Sequence, residues 1–392
     1  MKVKAKAFLR IAAYLLFVVL VVEAAAFVFI NQLHEEDFSH EADFWKAYEA
    51  SNKSFLDYKR SDRYSPITGW QSSRHTRKTK KNCLGEDVTY VNLGDRRRQS
   101  LSDIDGQQPR VALFGNSFTQ GAEVDTGSTM ADYLYTDHGL PTANFGVGGF
   151  SPTQAFLYMQ EKSKNLESVD VYVLGIMFEN IRRNATSFRA TYAPTTGLLF
   201  GAMPYVRDNK IYRMPEIETE EEFREFVSNA FETDYWAKPK LEFPYTLTAF
   251  RLMWSERFRR KVYHNLFGYH RSSYYYDYQD DVALDGLAHT IEQFRQFVRS
   301  NGKRGVVFFI PTDGRDIDSP KAFVEREAQK NQDDFKVVLF EDPATDWSKY
   351  NLKGFKCHPS PYGQSRLAAY LATVLDGMAP RSGVSQAVPK PN

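Results

Sequence analysis

Short apolar runs alternate with amphipathic segments between residues 111 and 375. The apolar runs have the length and composition of buried strands and cover residues 111–114, 169–177, 305–310 and 337–340. The helical segments cover residues 128–138, 284–300 and 363–375. Strands separated by helices assemble into a parallel sheet with helices on both faces. The pattern predicts an α/β fold, a three-layer sandwich with a central parallel sheet, on which ligands bind beyond the carboxyl ends of the strands.

An apolar run near the N-terminus predicts one transmembrane helix. Residues 11–30 are apolar apart from Glu23, and as a helix they span about 30 Å, the thickness of the hydrocarbon core of a bilayer. Basic residues precede the run and acidic residues follow it, so the positive-inside rule predicts a cytoplasmic tail over residues 1–10 and an exported remainder. A cleaved signal peptide ending at the alanines of residues 24–26 is the other interpretation. The apolar run continues beyond them, which favours an anchor, and Glu23 is expected to be neutral or paired with another helix.

Charge and cysteine content exclude several classes of function. The 50 lysines and arginines are offset by 49 acidic residues, so the chain has no long-range field to gather nucleic acid. Its two cysteines, Cys83 and Cys357, are too few for a disulfide framework and lack the spacing of a zinc site. One bridge between them in an oxidising compartment remains open. No metal or nucleotide motif is present, so no cofactor and no metal are expected.

The remaining segments are arranged around the predicted sheet. Residues 31–108, with one helix expected over residues 41–50, are interpreted as a stalk and domain edge that precede the α/β domain over residues 109–378. The basic stretch at residues 74–81 is expected to be a solvated loop, with contact to anionic headgroups as the alternative. Residues 379–392, rich in Pro, Ser and Gly, are expected to be disordered.

An aromatic-rich insertion interrupts the alternation at residues 190–281. It contains a hairpin around residues 206–212, an acidic helix over residues 219–231 and an aromatic and basic tract over residues 243–278. The tract ends in four tyrosines, Tyr274, Tyr275, Tyr276 and Tyr278. Packing of these rings onto the core is the favoured interpretation, and stacking on sugar rings is the alternative.

Ser117 and His358 occupy positions that suit a nucleophile and a base. Ser117 follows the first apolar run in a turn bracketed by Gly115 and Gly121, where its hydroxyl is exposed at the carboxyl edge of the sheet. His358 lies in a proline-rich loop directly before the last helix. An unperturbed imidazole titrates near about pH 6.5, so it can take the serine proton and return it to a leaving group. Each residue alone is weak evidence, because both types are ordinary in turns and loops.

Three segments around these residues resemble the sequence blocks of SGNH (GDSL-like) hydrolases. GNSFTQG resembles the first block, NFGVGGFSPTQ the second and CHPSPYGQSRLA the final histidine block, in the order of the family and within residues 110–375. The upstream YVNLGDRR resembles a strand that precedes the first block in membrane-anchored members. The resemblance implies an SGNH hydrolase-like fold with Ser117 as nucleophile and His358 as base. It also implies that the backbone amides of Ser117 and Gly149 belong to the oxyanion hole.

The third block departs from the family pattern. Members usually carry an asparagine after a strand, and its side-chain amide donates to the oxyanion. The segment GIMFENIRRN places Glu179 at that position and Asn180 one residue later. Either Asn180 takes over this role, or Glu179 is protonated or serves another purpose, or the hole consists of backbone amides alone. Asn116 replaces the aspartate beside the serine, which is a mild change because that side chain is not the nucleophile.

The final block departs as well. An aspartate normally precedes the histidine by two or three residues and orients its ring, but Phe355 and Lys356 stand there. The sequence therefore predicts a serine–histidine dyad, with Asp342 or Asp346 as distant substitutes for the acid. Loss of the orienting acid lowers turnover by orders of magnitude in triad enzymes.

The resemblance, together with the predicted anchor, implies a serine-dependent ester hydrolase or O-acyltransferase that acts on a cell-envelope or exported polysaccharide, with acetyl as the expected acyl group. The expected setting is a single-pass protein of the inner membrane with a periplasmic or otherwise extracytoplasmic catalytic domain. Its expected partners are the membrane, an acylated glycan or acyl donor, and envelope polysaccharide machinery. Hydrolysis and transfer use the same residues and differ in whether water is excluded from the acyl-enzyme. The alternative is a catalytically weak or inactive SGNH domain that binds glycan or takes part in a polysaccharide assembly complex.

Overall fold

The computed structural model describes residues 2–37, 41–191, 200–235, 237, 243–254, 273–312, 317–355 and 357–378. The strands are β1 Tyr64–Ser65, β2 Gly69–Trp70, β3 Thr76–Lys81, β4 Asp87–Asn92, β5 Val111–Gly115, β6 Thr142–Gly146, β7 Val171–Met177, β8 Tyr205–Arg207, β9 Lys210–Tyr212, β10 Arg304–Ile310, β11 Phe335–Leu339 and β12 Leu352–Phe355. The helices are α1 Lys2–Asp37, α2 Glu41–Ala50, α3 Phe55–Lys59, α4 Leu101–Ile104, α5 Ser117–Gln120, α6 Met130–Thr136, α7 Pro152–Lys162, α8 Asn180–Asn184, α9 Glu220–Thr233, α10 Tyr245–Trp254, α11 Asp281–Ser300, α12 Asp318–Ala328, α13 Trp347–Tyr350 and α14 Pro361–Asp376.

The chain divides into two compact units. The helical unit draws on residues 1–55, 188–201 and 217–270, and the sheet unit on residues 56–187, 202–216 and 271–392. The sheet unit thus begins at Leu56, whereas the sequence pattern placed the start of the domain near residue 109. In the helical unit, the segment Leu9–Ile30 of α1 is long and apolar enough to cross a membrane.

A five-stranded parallel sheet lies at the centre of the sheet unit. Its strand order is β11-β10-β7-β5-β6, and each neighbouring pair is parallel. Every residue of β5, β6 and β7 is buried, as expected for strands covered on both faces. The predicted central parallel sheet is therefore confirmed. The strand β6 was not predicted, because TANFG is short and carries polar residues.

Helices cover both faces of this sheet. Successive strand residues point to opposite faces, so Val111 and Leu113 pack with Leu134 of α6 and Leu371 of α14 on one side. On the other side the ring of Phe114 contacts that of Tyr158 in α7, at 6.2 Å between centroids. The predicted three-layer α/β architecture is confirmed.

The basic stretch predicted as a loop forms a strand. β3, TRKTKK, pairs antiparallel with β4, and bridges from Asn92 to Arg98 and from Arg98 to Asn144 connect this hairpin to β6. Nearly all of β3 is exposed, so it lacks the apolar alternation from which strands are recognised.

The insertion contains the predicted hairpin, β8–β9, and the predicted acidic helix, α9. Tyr274 and Tyr278 are buried, and both rings contact Phe178, which agrees with packing rather than sugar stacking for these two. Most of the aromatic tract, at residues 255–272, and the tail at residues 379–392 lie outside the described residues.

Candidate active site

Three neighbouring strands end at one edge of the sheet and carry the predicted site residues. Gly115, the last residue of β5, is in register with Gly146 of β6 and with Gly175 of β7. The segments that follow these strands are residues 116–117, 147–149 and 178–180. Because carboxyl ends of adjacent parallel strands share an edge, the three segments are neighbours in space.

Glycines at these strand ends allow α5 to lie directly on the sheet. A Cβ atom on Gly115 or on Gly175 would lie 2.2 Å from Thr119 Oγ1, and one on Gly146 would lie 2.3 Å from the backbone N of Gln120. Those distances are far shorter than van der Waals contact, so any side chain there would push the helix away. The close contact sets the position of Ser117 relative to the strand ends.

Ser117 is the first residue of α5. The preceding Asn116 caps this helix, because its Oδ1 accepts a hydrogen bond of 2.7 Å from the backbone N–H of Phe118. The first N–H groups of a helix have no intrahelical acceptor, so the Ser117 amide remains able to donate. Ser117 is partly exposed, whereas Asn116, Phe118 and Thr119 are buried. The serine is therefore accessible within an otherwise buried turn.

Asn180 presents a buried amide donor at the same edge. Its Oδ1 accepts from the backbone N–H of Met177 at 3.0 Å and from Asn116 Nδ2. A backbone N–H can only donate, so the atom facing it is the oxygen and the orientation of the amide is determined. The Nδ2 group is buried and has no hydrogen-bond partner among the described residues. Such an unpaired donor costs about 1–3 kcal/mol and calls for an explanation, such as a ligand oxygen.

Glu179 forms an ion pair with Arg183. Its carboxylate lies 3.2 Å from Arg183 Nη2, and 37% of its side chain is exposed. Consecutive residues at a helix start diverge by about 100° around the axis, so Glu179 and Asn180 face different surroundings. The two residues that the sequence left as alternatives are thus separated: Asn180 contacts Asn116 next to Ser117, and Glu179 pairs one turn along α8.

Gly149 has a left-handed backbone conformation, with φ of +84°. This conformation suits glycine and shapes the turn after β6. The carbonyl oxygen of Gly148 accepts a hydrogen bond of 3.0 Å from Trp70 Nε1, which holds the same turn. Gly148 and Gly149 are both partly exposed. The turn that the family resemblance assigns to the oxyanion hole is open to solvent.

His358 contacts a carboxylate that the sequence did not indicate. Its backbone N–H donates to Glu123 Oε2 at 3.1 Å. Its ring Nδ1 lies 3.0 Å from the same oxygen, which is within ion-pair distance, but the two atoms are not aligned for a hydrogen bond. The His358 side chain and then its backbone N–H hold the pKa of Glu123 below the ordinary value, against the opposing effect of burial. A carboxylate beside Nδ1 favours the tautomer with the proton on Nδ1, which leaves Nε2 as the proton acceptor.

The loop that carries Glu123 is held by Arg98 and Tyr90. The buried guanidinium of Arg98 donates to the carbonyl oxygens of Gln120, Gly121 and Val124. The hydroxyl of Tyr90 accepts from the backbone N–H of Glu123. Glu123 itself has φ of +71°, which is unusual for a residue with a side chain and marks a constrained backbone. Arg98 follows the YVNLGDRR segment, so this upstream motif supports the loop after the serine.

The structure places a carboxylate beside the histidine of the predicted dyad. Glu123 contacts His358, but it follows Ser117 in the chain rather than preceding His358. Asp342 instead accepts from Arg366 Nε at 2.7 Å, and Asp346 accepts from the backbone N–H of Ser348 at 3.0 Å. A search confined to the residues before His358 misses the acid, because Glu123 is 235 residues away in sequence.

A disulfide joins Cys83 to Cys357, the residue before His358. Cys83 lies between β3 and β4, so the bond ties the hairpin to the histidine loop over a separation of 274 residues. The pairing that the sequence left open is therefore made. Ligand atoms of Cys83, Cys357 and Glu123 lie within 4.8 Å of one another. The sulfurs are bonded to each other, so this group offers no thiolate to a metal.

Ser117 and His358 are brought to the same region. The ring of Phe118, the residue after the serine, lies 5.5 Å from the imidazole between centroids. Gln364 of α14 donates to the carbonyl of Phe118 at 3.2 Å and accepts from the backbone N–H of Met130 at 2.8 Å, which links the last helix to α5. No hydrogen bond joins the described side chains of Ser117 and His358. Such bonds commonly tighten only when substrate binds.

No family model matches the chain, and no curated protein matches it. Among solved structures, one similar chain is described as a candidate lipolytic protein of the G-D-S-L family from Desulfitobacterium hafniense DCB-2. The two chains are 12% identical, and the match covers 67% of this chain and 98% of that chain with a TM-score of 0.35.

Proposed function

We propose that this chain is a serine-dependent ester hydrolase or O-acyltransferase that acts on a glycan of the cell envelope. The observation that carries the proposal is the grouping of Ser117, the unpaired amide donor of Asn180 and a His358–Glu123 pair at one edge of the sheet. Acyl transfer requires a nucleophile, a base with an oriented ring and donors for an oxyanion, and these residues supply all three.

The chemistry follows from these positions. His358 Nε2 takes the proton of Ser117 as Oγ attacks the ester carbonyl, and the imidazolium that forms is stabilised by Glu123. The oxyanion accepts hydrogen bonds from Asn180 Nδ2 and from the backbone amides of Ser117 and Gly149. The alkoxide leaves with the proton from His358. Water or a sugar hydroxyl then gives up a proton to His358 and attacks the acyl-enzyme. The bond from the acyl carbon to Ser117 Oγ breaks, Oγ takes the proton back from His358, and an acid or a new ester is released.

The setting of the domain supports an exported substrate. The segment Leu9–Ile30 has the length and composition of a membrane anchor, and basic residues precede it. The disulfide between Cys83 and Cys357 requires an oxidising compartment, which favours a location outside the cytoplasm. An anchored domain outside the cytoplasm meets exported polysaccharide, and this arrangement resembles bacterial proteins that add or remove O-acetyl groups on envelope polysaccharides.

Covalent labelling tests the nucleophile directly. The full-length protein in detergent is treated with a serine-reactive fluorophosphonate, with Ser117→Ala and Ser128→Ala as matched variants. We expect the label on the parent and on Ser128→Ala and its loss in Ser117→Ala. Equal labelling of all three proteins would show that Ser117 is not the activated serine. No labelling of a folded parent would favour the binding or assembly role instead.

A product assay then separates hydrolysis from transfer. Labelled acetyl is supplied as an activated ester, with and without a de-acetylated polysaccharide as acceptor. Label recovered on polysaccharide, and only with Ser117 present, identifies a transferase, whereas free acetate at the same rate with and without acceptor identifies a hydrolase. Acceptor that neither takes label nor changes the rate, together with failure to release acetate from acetylated polysaccharide, would contradict the glycan substrate class.

A further inference from the structure

A short helix lies against the predicted membrane span in the helical unit. The helix is α10, and its contacts with α1 include two residues of its first turn. Tyr245 packs on Phe27 with 5.0 Å between ring centroids, and the backbone N–H of Thr246 donates to Glu23 Oε2 at 3.2 Å. The hydroxyl of Thr246 donates to the other carboxylate oxygen of Glu23. α10 is thus attached to a residue inside the apolar run.

The far side of α10 is apolar and exposed. Leu247, Phe250 and Trp254 follow helical spacing and are 46%, 51% and 73% exposed, and Phe243 extends the same row one turn earlier. Outside α1, the described residues include eight exposed large apolar side chains, and five of them lie between Phe243 and Trp254. Apolar side chains gathered in this way mark a surface that meets a partner rather than water.

The carboxylate of Glu23 and the donors at the start of α10 are hydrogen-bonded to each other. Glu23 is only 6% exposed, although the residues on either side of it in α1 are exposed. Thr246 is the second residue of α10, so the carboxylate accepts from one of the N–H groups that a helix start leaves unpaired. Polar groups persist in hydrocarbon only when they are paired in this manner. The contact accounts for an acidic residue in the predicted span.

The position of Glu23 places α10 at membrane depth. Glu23 precedes Ile30, the end of the apolar span, by seven positions, which is about 10 Å along a helix. The 10 residues of α10 extend about 15 Å, which is half of a hydrocarbon core of about 30 Å. A helix of this length that begins about 10 Å inside the hydrocarbon stays in the outer leaflet and at its boundary when it runs toward the extracytoplasmic side or along the membrane plane.

We propose that α10 is a second membrane contact, whose exposed row of Phe243, Leu247, Phe250 and Trp254 lies in the hydrocarbon of the extracytoplasmic leaflet. Because α10 is attached to Glu23 inside the apolar span of α1, the row lies at the depth of the hydrocarbon, and lipid rather than a second protein is the expected occupant. This inference rests on the membrane anchoring proposed above. Arg251, the exposed charge on α10, has a side chain long enough to reach the headgroups while its stem stays in the apolar layer.

Fluorescence quenching by brominated lipid tests the proposal. The full-length protein is reconstituted into phosphatidylcholine vesicles that contain lipid brominated on the acyl chains, and tryptophan quenching is compared among the parent, Trp254→Phe and Trp45→Phe. The protein has five tryptophans, so the difference between parent and variant isolates one residue. We expect a quenched component that is lost in Trp254→Phe and kept in Trp45→Phe. Trp254 is 73% exposed, so its replacement leaves the fold intact.

Extraction of the same vesicles with sodium carbonate distinguishes the membrane contact of α10 from the membrane anchoring by α1. Protein that stays in the membrane without quenching of Trp254 would overturn the role of α10 and leave the anchor standing. Protein that is extracted would overturn both. Glu23→Leu is expected to lose the Trp254 component and Glu23→Gln to keep it, because the glutamine carbonyl still accepts from Thr246. Unchanged quenching in Glu23→Leu would overturn the coupling between the two helices.

Discussion

Replacement of Glu123 by glutamine removes one negative charge beside His358 and little else. Glutamine has the same shape and keeps an oxygen that accepts from the His358 backbone N–H, so the loop position is retained. The charge matters most in the transition state, when the imidazole becomes a cation. The substitution therefore changes the stabilisation of the imidazolium and leaves the binding of a neutral ester unaffected.

The distance sets the size of the effect. Unit charges 3.0 Å apart attract by about 1.4 kcal/mol in water and about 5.5 kcal/mol at an effective dielectric constant of about 20. The side chains of His358 and Glu123 are 30% and 23% exposed, so screening places the value in the lower part of this interval, at about 2–3 kcal/mol. Each 1.36 kcal/mol corresponds to about tenfold in rate, which predicts a loss of about 30- to 160-fold in kcat.

The assay is steady-state hydrolysis of p-nitrophenyl acetate by the parent, Glu123→Gln and Asp342→Asn. Asp342→Asn removes the same charge from the carboxylate that pairs with Arg366, and it is one of the two acids that the sequence offered in place of the missing aspartate. We expect kcat to fall in Glu123→Gln with KM unchanged, and both parameters to stay near the parent values in Asp342→Asn. A folded Glu123→Gln protein with the kcat of the parent would refute the orienting role of Glu123, and a selective loss in Asp342→Asn would reassign it.

Three further perturbations follow from the same contacts. Asn180→Asp keeps the Oδ1 acceptor for Met177 and replaces the free donor by an acceptor, so kcat is expected to fall by about 10²- to 10³-fold; a folded variant with a rate equal to the parent would remove Asn180 from the oxyanion hole. Cys83→Ser is expected to lower the free energy of unfolding by about 2–4 kcal/mol in denaturant titrations, and reduction of the parent should match it. Because contact with His358 lowers the pKa of Glu123, its stabilising contribution is complete above the ordinary pKa of about 4.3 and is lost as pH falls through the lowered value. The difference in melting temperature between the parent and Glu123→Gln should accordingly shrink between pH 6 and strongly acidic pH, and a constant difference would contradict this linkage.

Much of the fold follows from local pattern. The strands β5, β7 and β10 are continuous apolar runs, and α11 and α14 have helical spacing of apolar residues, so these elements were predicted to within a few residues. The strands β3 and β6 were not predicted from apolar patterning, for opposite reasons. β3 is basic and exposed, whereas β6 buries Asn144, whose side chain donates to the carbonyl of Thr119. Both strands are held by pairing partners that lie elsewhere in the chain.

The candidate site likewise contains residues that local sequence predicted and contacts that it did not. Ser117, Gly149 and His358 are marked by short sequence blocks, because each block encodes a local turn. The contact between Glu123 and His358 is not local, since 235 residues separate them. Its only local signal is an acidic residue just after the glycine-bracketed turn. The choice between Glu179 and Asn180 likewise depends on which side chain contacts Asn116, and this is visible only in three dimensions.

The position of Glu123 changes how the site is assembled. The proposed nucleophile Ser117 and the carboxylate Glu123 lie within one segment, residues 117–123, and Arg98 fixes the end of that segment through three backbone carbonyls. The histidine is the component that must be brought in from the far end of the chain. Its loop is held by the Glu123 carboxylate and, one residue earlier, by the disulfide to the β3–β4 hairpin. If the acid directly preceded the histidine in the chain, the acid–histidine pair would form locally, independently of the rest of the fold. Here the Glu123–His358 pair exists only when the histidine loop packs against residues 117–123. Orientation of the imidazole therefore depends on docking of the loop. Variants that loosen the β3–β4 hairpin should lower kcat although they change no residue of the proposed site.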